Sequence, residues 1–171
     1  MEKNELQKAL HALMNTSPQA YARLLGSDKY AKTEGEIYFY PAWNGTLILS
    51  DIDGLPFSDG PCQSKIFGFH IHEGEKCLGD ASDPFADAGQ HYNPRNCPHP
   101  MHAGDLPPVF GNHGYALQMI YTDRFTPEEI IGKTLILHAM PDDFKTQPSG
   151  DAGEKIACGE IKNNLEVTQK A

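Results

Sequence analysis

Five of the 8 histidines lie between residues 70 and 102, and most of that interval belongs to a segment, 73–108, with almost no apolar periodicity and many Gly, Pro, Asp and His residues. No other feature constrains the fold as much. A loop that long inside a compact domain is usually functional. Clustered imidazoles signal a transition metal, for which histidine is the commonest ligand. The chain therefore needs a rigid scaffold that holds a long loop and aims several rings at one place.

The flanking sequence supplies such a scaffold. Segments 19–25, 35–40, 46–52, 65–72, 115–121, 134–138 and 155–161 read as strands. Asn44-Gly45 predicts a hairpin turn before the third of them, and 142–153 a second polar loop. Gly 16 and Pro 13 favour short strands joined by turns over long helices. The sum is an all-β, immunoglobulin-like Greek-key barrel or sandwich with two long functional loops. Residues 4–14 are the exception, because Leu6, Leu10, Leu13 and Met14 share one face of a short helix. Residues 1–17 are thus expected to be a helical extension on a domain spanning 18–171. Trp43, Phe67 and Phe110 are expected to pack or to anchor loops.

A formal charge of −9 repels phosphate backbones and argues against nucleic acid as a partner. No apolar run approaches the roughly 20 residues that cross a bilayer, so no membrane is expected either. The start, Met1-Glu-Lys-Asn-Glu, lacks the basic and apolar regions of a secretory signal, and the expected location is the cytoplasm. Cysteines stand at 62, 77, 97 and 158 with no CxxC pair, which excludes a zinc knuckle and a thioredoxin-type motif. Two bridges are possible in three pairings, and a reducing cytosol opposes any that is not sheltered.

His70 and His72 are two apart on a strand, so both rings take one face while Phe69 and Ile71 take the core face. His138 ends the apolar strand 134–138 and can add a third nitrogen. His91, His99, His102 and Asp105 share the long loop, and three nitrogens with one carboxylate make a closed tetrahedral set for Zn²⁺. His91 can be counted with either cluster, and a ring metallated on both nitrogens would bridge them. His11, beside the apolar stripe, reads as a packing or surface residue, and His113, in Gly-Asn-His-Gly, as a turn residue.

Gly68-Phe-His-Ile-His-Glu73, Gly89-Gln-His-Tyr-Asn-Pro94, His102-Ala-Gly-Asp-Leu106, Leu137-His-Ala-Met-Pro-Asp-Asp143 and Gly153-Glu-Lys-Ile-Ala-Cys-Gly159 resemble successive signatures of the Cu,Zn superoxide dismutase family, in that family's order, across roughly 18–162. The resemblance implies copper on His70, His72, His91 and His138, and zinc on His91, His99, His102 and Asp105. It implies that Asp142 links a copper ligand to a zinc ligand through their free N–H groups. It pairs Cys77 with Cys158. Cys62 and Cys97 have no counterpart in the family; a second bridge, free thiols and a Cys97 metal ligand are all open, and a reducing cytosol favours free thiols. Superoxide anion is the implied substrate and dioxygen and hydrogen peroxide the products, with His91 among the proton sources. A homodimer is compatible with the resemblance, although family members pair through different edges and some are monomeric.

The chain departs from the family in two places. Only Pro100 and Met101 separate His99 from His102, and Cys97 just upstream is an alternative thiolate ligand. Lys155 takes the place of the anion-guiding arginine, keeping the charge without the bidentate fork. The segment between Cys77 and His91 is longer than in eukaryotic members and resembles bacterial ones. Two other functions compete with this one. A non-catalytic copper- and zinc-binding module, serving as metallochaperone or copper buffer, usually follows loss of a copper ligand, and here all four remain. A zinc hydrolase built on His70-x-His72 needs a general base, and no HExxH supplies one.

Overall fold

A computed structural model describes residues 17–60 and 65–164. The helix expected at 4–14, His11 and Cys62 lie outside them. Among the described residues nine strands follow in order: β1 (Ala20–Gly26), β2 (Glu34–Ala42), β3 (Gly45–Asp53), β4 (Ile66–Phe67), β5 (Phe69–His72), β6 (Val109–Phe110), β7 (Ala116–Thr122), β8 (Thr134–His138) and β9 (Lys155–Asn163). One short helix, α1 (Pro127–Ile130), stands between β7 and β8. The Glu129 carboxylate accepts from both the amide and the hydroxyl of Thr126 and so closes its first turn.

Seven strands form one antiparallel sheet in the order β5-β8-β9-β1-β2-β3-β7, and β4 pairs with β6 as a separate ribbon. The β1–β2–β3 meander is continued at one side by β7, while the chain crosses to the opposite edge for β5. Because β4 runs into β5 and β6 turns into β7 at the Asn112–Tyr115 bridge, the ribbon ties one edge of the sheet to the other. The result is a curled Greek-key barrel. Its interior is the alternate set Ala22, Leu24, Ile37, Phe39, Ile48, Phe69, Ile71, Leu135, Leu137, Ile156 and Ile161. Each large side chain of that set is worth about 1.5–3 kcal/mol of burial.

Period-two alternation also defines an outer face. In register, His70 lies beside Ile136, and Ile136 beside Cys158. These point away from the core, and the long loop covers part of them. Phe85 and Ala88 pack on Ile136 and Cys158 in a second apolar cluster, with the Cys77–Cys158 disulfide beside it.

Three local expectations change. The strand expected over 65–72 breaks at Gly68, whose amide and carbonyl pair with Met140 and His138, and where an added Cβ would stand 2.8 Å from that of Ala152. The β2–β3 turn is made by Trp43 (φ +49°) and Asn44 rather than by Asn44-Gly45. Gly45 is already strand, and a Cβ there would fall 2.1 Å from the Thr122 carbonyl oxygen. Of the three aromatic anchors, only Phe67 is buried. Trp43 is 90% exposed, resting edge-on against Tyr121, and Phe110 is 57% exposed.

Candidate metal centre

The outer face of β5 and β8 supplies three rings. His70 and His72 alternate with the core residues Phe69 and Ile71, and His138 lies two residues beyond the outward Ile136. The free edge of β5 is then taken by the long loop. Ile71 donates to the Gly104 carbonyl and accepts from Tyr92, and the Glu73 and Leu106 amides bond to Gln90 and Phe69. Isolated bridges set His72 opposite His91 and His70 opposite Asp105. Gly104 permits this approach, since a Cβ there would lie 2.2 Å from the Ile71 carbonyl oxygen.

Two groups result, one of His70, His72, His91 and His138, the other of His91, His99, His102 and Asp105. In each, one candidate ligand atom per residue lies within 4.8 Å of every other, and all seven residues are buried. The His91 ring stands between the groups, 4.1 Å from the His70 ring and 5.6 Å from the His102 ring, centroid to centroid. His99 and His102 reach the same group across the short turn, with ring centroids 5.5 Å apart. Cys97 belongs to neither group. It is a half-buried free thiol, so the carboxylate-and-imidazole set forms without a thiolate.

Whether these groups suit cations depends on which ring nitrogens carry protons. His72 Nδ1 lies 2.9 Å from the Gly89 carbonyl oxygen and His138 Nδ1 lies 3.2 Å from that of Gly153. Both nitrogens must donate. Burial first, then the neighbouring rings, hold both imidazoles neutral, His72 well below its ordinary pKa and His138 at about 3. Their Nε2 atoms are therefore bare lone pairs, yet they face each other at 3.3 Å. His70 Nδ1, His91 Nε2, His99 Nδ1 and His102 Nδ1 are buried without a hydrogen-bond partner. Buried polar atoms are ordinarily satisfied, and converging lone pairs are satisfied by a cation. Four imidazoles suit copper, and three imidazoles with a carboxylate suit zinc.

Two aspartates fix the rings. The Asp142 Oδ2 atom accepts from His70 Nε2 at 2.8 Å, and Oδ1 accepts from His99 Nε2 at 3.0 Å and from the Phe144 amide at 2.6 Å. Burial would raise the pKa of Asp142, but these donors outweigh it and hold the carboxyl at about 2. The Asp105 Oδ1 atom is 2.7 Å from His91 Nδ1, and Oδ2 is 3.1 and 3.3 Å from His99 Nδ1 and His102 Nδ1, without hydrogen-bond geometry to the last two. Burial opposes its ionisation as well, and the His91 contact with the neighbouring rings holds it below the ordinary value.

Lys155 pairs with His138 across β8–β9. Its ammonium donates to Asp83 Oδ2 at 2.6 Å and to the Phe85 carbonyl at 3.0 Å, so its charge is partly compensated in place. That partner carried no sequence signal, nor did Gly150, whose open position accommodates the Asp142–His99 bond. The Cys77–Cys158 bond that the resemblance implies is formed. His113 is an exposed turn residue with φ +51°.

Residues 33–161 match the copper/zinc superoxide dismutase family. Superoxide dismutase [Cu-Zn] of Deinococcus radiodurans is 32% identical over 160 residues, covering 83% of each chain. Superoxide dismutase [Cu-Zn] 1 of Aquifex aeolicus is 34% identical over 134 residues, covering 70% of this chain and 74% of its own. Among solved structures, Cu/Zn superoxide dismutase from Brucella abortus superposes with a TM-score of 0.70 at 25% identity, over 84% of this chain and 99% of that one.

Proposed function

The chain belongs to the copper/zinc superoxide dismutase family, and on that premise we propose that His70, His72, His91 and His138 hold copper while His91, His99, His102 and Asp105 hold zinc, so that two superoxide ions and two protons become dioxygen and hydrogen peroxide. The observation that carries this assignment is the position of His91, which turns Nδ1 to Asp105 and an unpartnered Nε2 to the first group. When bound, copper supplies a one-electron couple that successive superoxide ions reduce and reoxidise, and zinc supplies a fixed positive charge beside it.

The chain's own residues do the rest. Asp142 and the Gly89 and Gly153 carbonyls fix one tautomer on each of His70, His72 and His138, which leaves the inward nitrogens unprotonated. His91 Nε2 is positioned to hold a proton and pass it to a peroxide oxygen. Lys155, beside His138, attracts the anion.

The test is metal content by mass spectrometry together with dismutation measured by pulse radiolysis, before and after copper loading. One copper and one zinc per chain are expected, with activity following copper. His138→Ala is expected to lose copper and activity while keeping zinc. Full activity of that variant would refute the assignment.

A further inference from the structure

Arg124 lies between β7 and α1, far in sequence from the metal loop. Its anchorage is firm: its amide bonds to Thr122 Oγ1 at 3.2 Å, the next residue, Phe125, is buried, and the Phe125 carbonyl accepts from the buried Thr46 hydroxyl at 2.9 Å. From that base one guanidinium nitrogen, Nη1, meets three backbone carbonyls, of Pro100 at 3.2 Å, His102 at 3.0 Å and Asp105 at 3.0 Å. Two of these belong to zinc-group residues and the third to the short link between His99 and His102. On the other side of the same turn Gln147 accepts from the His99 amide at 3.0 Å and donates to its carbonyl at 2.6 Å.

We propose that Arg124 is a positioning residue for the zinc half of the site, holding the 100–105 turn by its carbonyls so that His99, His102 and Asp105 converge. The proposal rests on the metal assignment above. A turn with only Pro100 and Met101 between two ligands has little secondary structure of its own, and its carbonyls need donors from outside. A guanidinium stays charged at any working pH and binds carbonyl oxygens more strongly than a neutral donor would. Its contacts fix the backbone from which the ligand side chains project.

Arg124→Gln removes the charge and the reach. Copper-loaded, zinc-free protein would be titrated with zinc in competition with a chelator, and separately with cobalt(II), whose visible ligand-field bands report ligand geometry. The variant is expected to bind zinc about 10–100-fold more weakly, with altered cobalt bands and an unchanged far-UV circular dichroism spectrum. A folded variant with wild-type zinc affinity and unchanged cobalt bands would overturn the proposal. So would a variant that fails to fold with zinc present, because Arg124 would then support the barrel rather than the loop. If the wild-type chain itself takes up neither ion, the metal assignment fails instead.

Discussion

Asp142 decides which nitrogen of two separate rings carries a proton. With His70 Nε2 and His99 Nε2 both donating to it, the opposite nitrogens of those rings are left bare and face different groups. The room for this arrangement is made by Gly150, at φ +69°, where a Cβ would stand 2.1 Å from Asp142 Oδ1 and 2.7 Å from His99 Nε2. Gly150→Ala therefore meets both a left-handed backbone and a collision with the two atoms that join the groups. The backbone term alone is about 1–2 kcal/mol, and displacement of an outer partner of a metal-binding ring lowers affinity about 10–100-fold. Chelator competition on the variant should show weakened zinc binding; wild-type affinity would mean that the second loop simply shifts away. The seven candidate ligands were legible from residue type and spacing, because strand alternation and a His-rich loop are local features. Gly150, Asp83 and Arg124 were not, since each matters only through contacts made across the fold.

At the scale of elements, the strand periodicity was legible to within a few residues, and β8 falls at 134–138 as expected. The break at Gly68 and the displaced β2–β3 turn were hidden because each answers to a neighbouring backbone. The pairing of the long loop with β5 was hidden for another reason: segments around 90–92 and 104–106 bond to a strand edge without an alternating pattern of their own. α1 was readable in principle from Thr126-Pro-Glu-Glu129. The loop is fastened to the outer face by Phe85 and Ala88 on Ile136, and by a disulfide that spans 81 residues of sequence. Removing a native bond of this kind typically costs about 2–5 kcal/mol of stability. A Cys77→Ser, Cys158→Ser double variant should unfold at correspondingly lower denaturant concentration. Since Gln90, which accepts from the Glu73 amide, and His91 follow the anchored stretch, it should also bind copper more weakly. Unchanged copper affinity would show that β5 pairing alone holds the loop.

For the whole molecule the central difficulty is charge. A chain of net charge −9 must bring an anion to a buried site, and the encounter rate depends on local positive potential. In the proposed mechanism Lys155 is to provide it, on the strand beside His138, yet its ammonium is held 2.6 Å from the half-exposed Asp83 carboxylate. An incoming superoxide therefore meets a compensated ion pair instead of a free cation. Asp83→Asn removes the compensating charge but keeps the side-chain size and an acceptor oxygen, and the Phe85 carbonyl still holds the lysine in place. The dismutation rate at low ionic strength should rise by about two- to fivefold, a single charge giving only a fraction of the 10–10³-fold that a fully focused field gives to steered association. Because the screening length shrinks to about 8 Å at physiological salt, the advantage should decline as salt is added, giving the variant the steeper salt dependence. Pulse radiolysis across a salt series separates this from a structural effect. A ratio of variant to wild type that stays constant with ionic strength, or a rate that falls at every salt, would mean that Asp83 serves to orient Lys155 rather than to mask it.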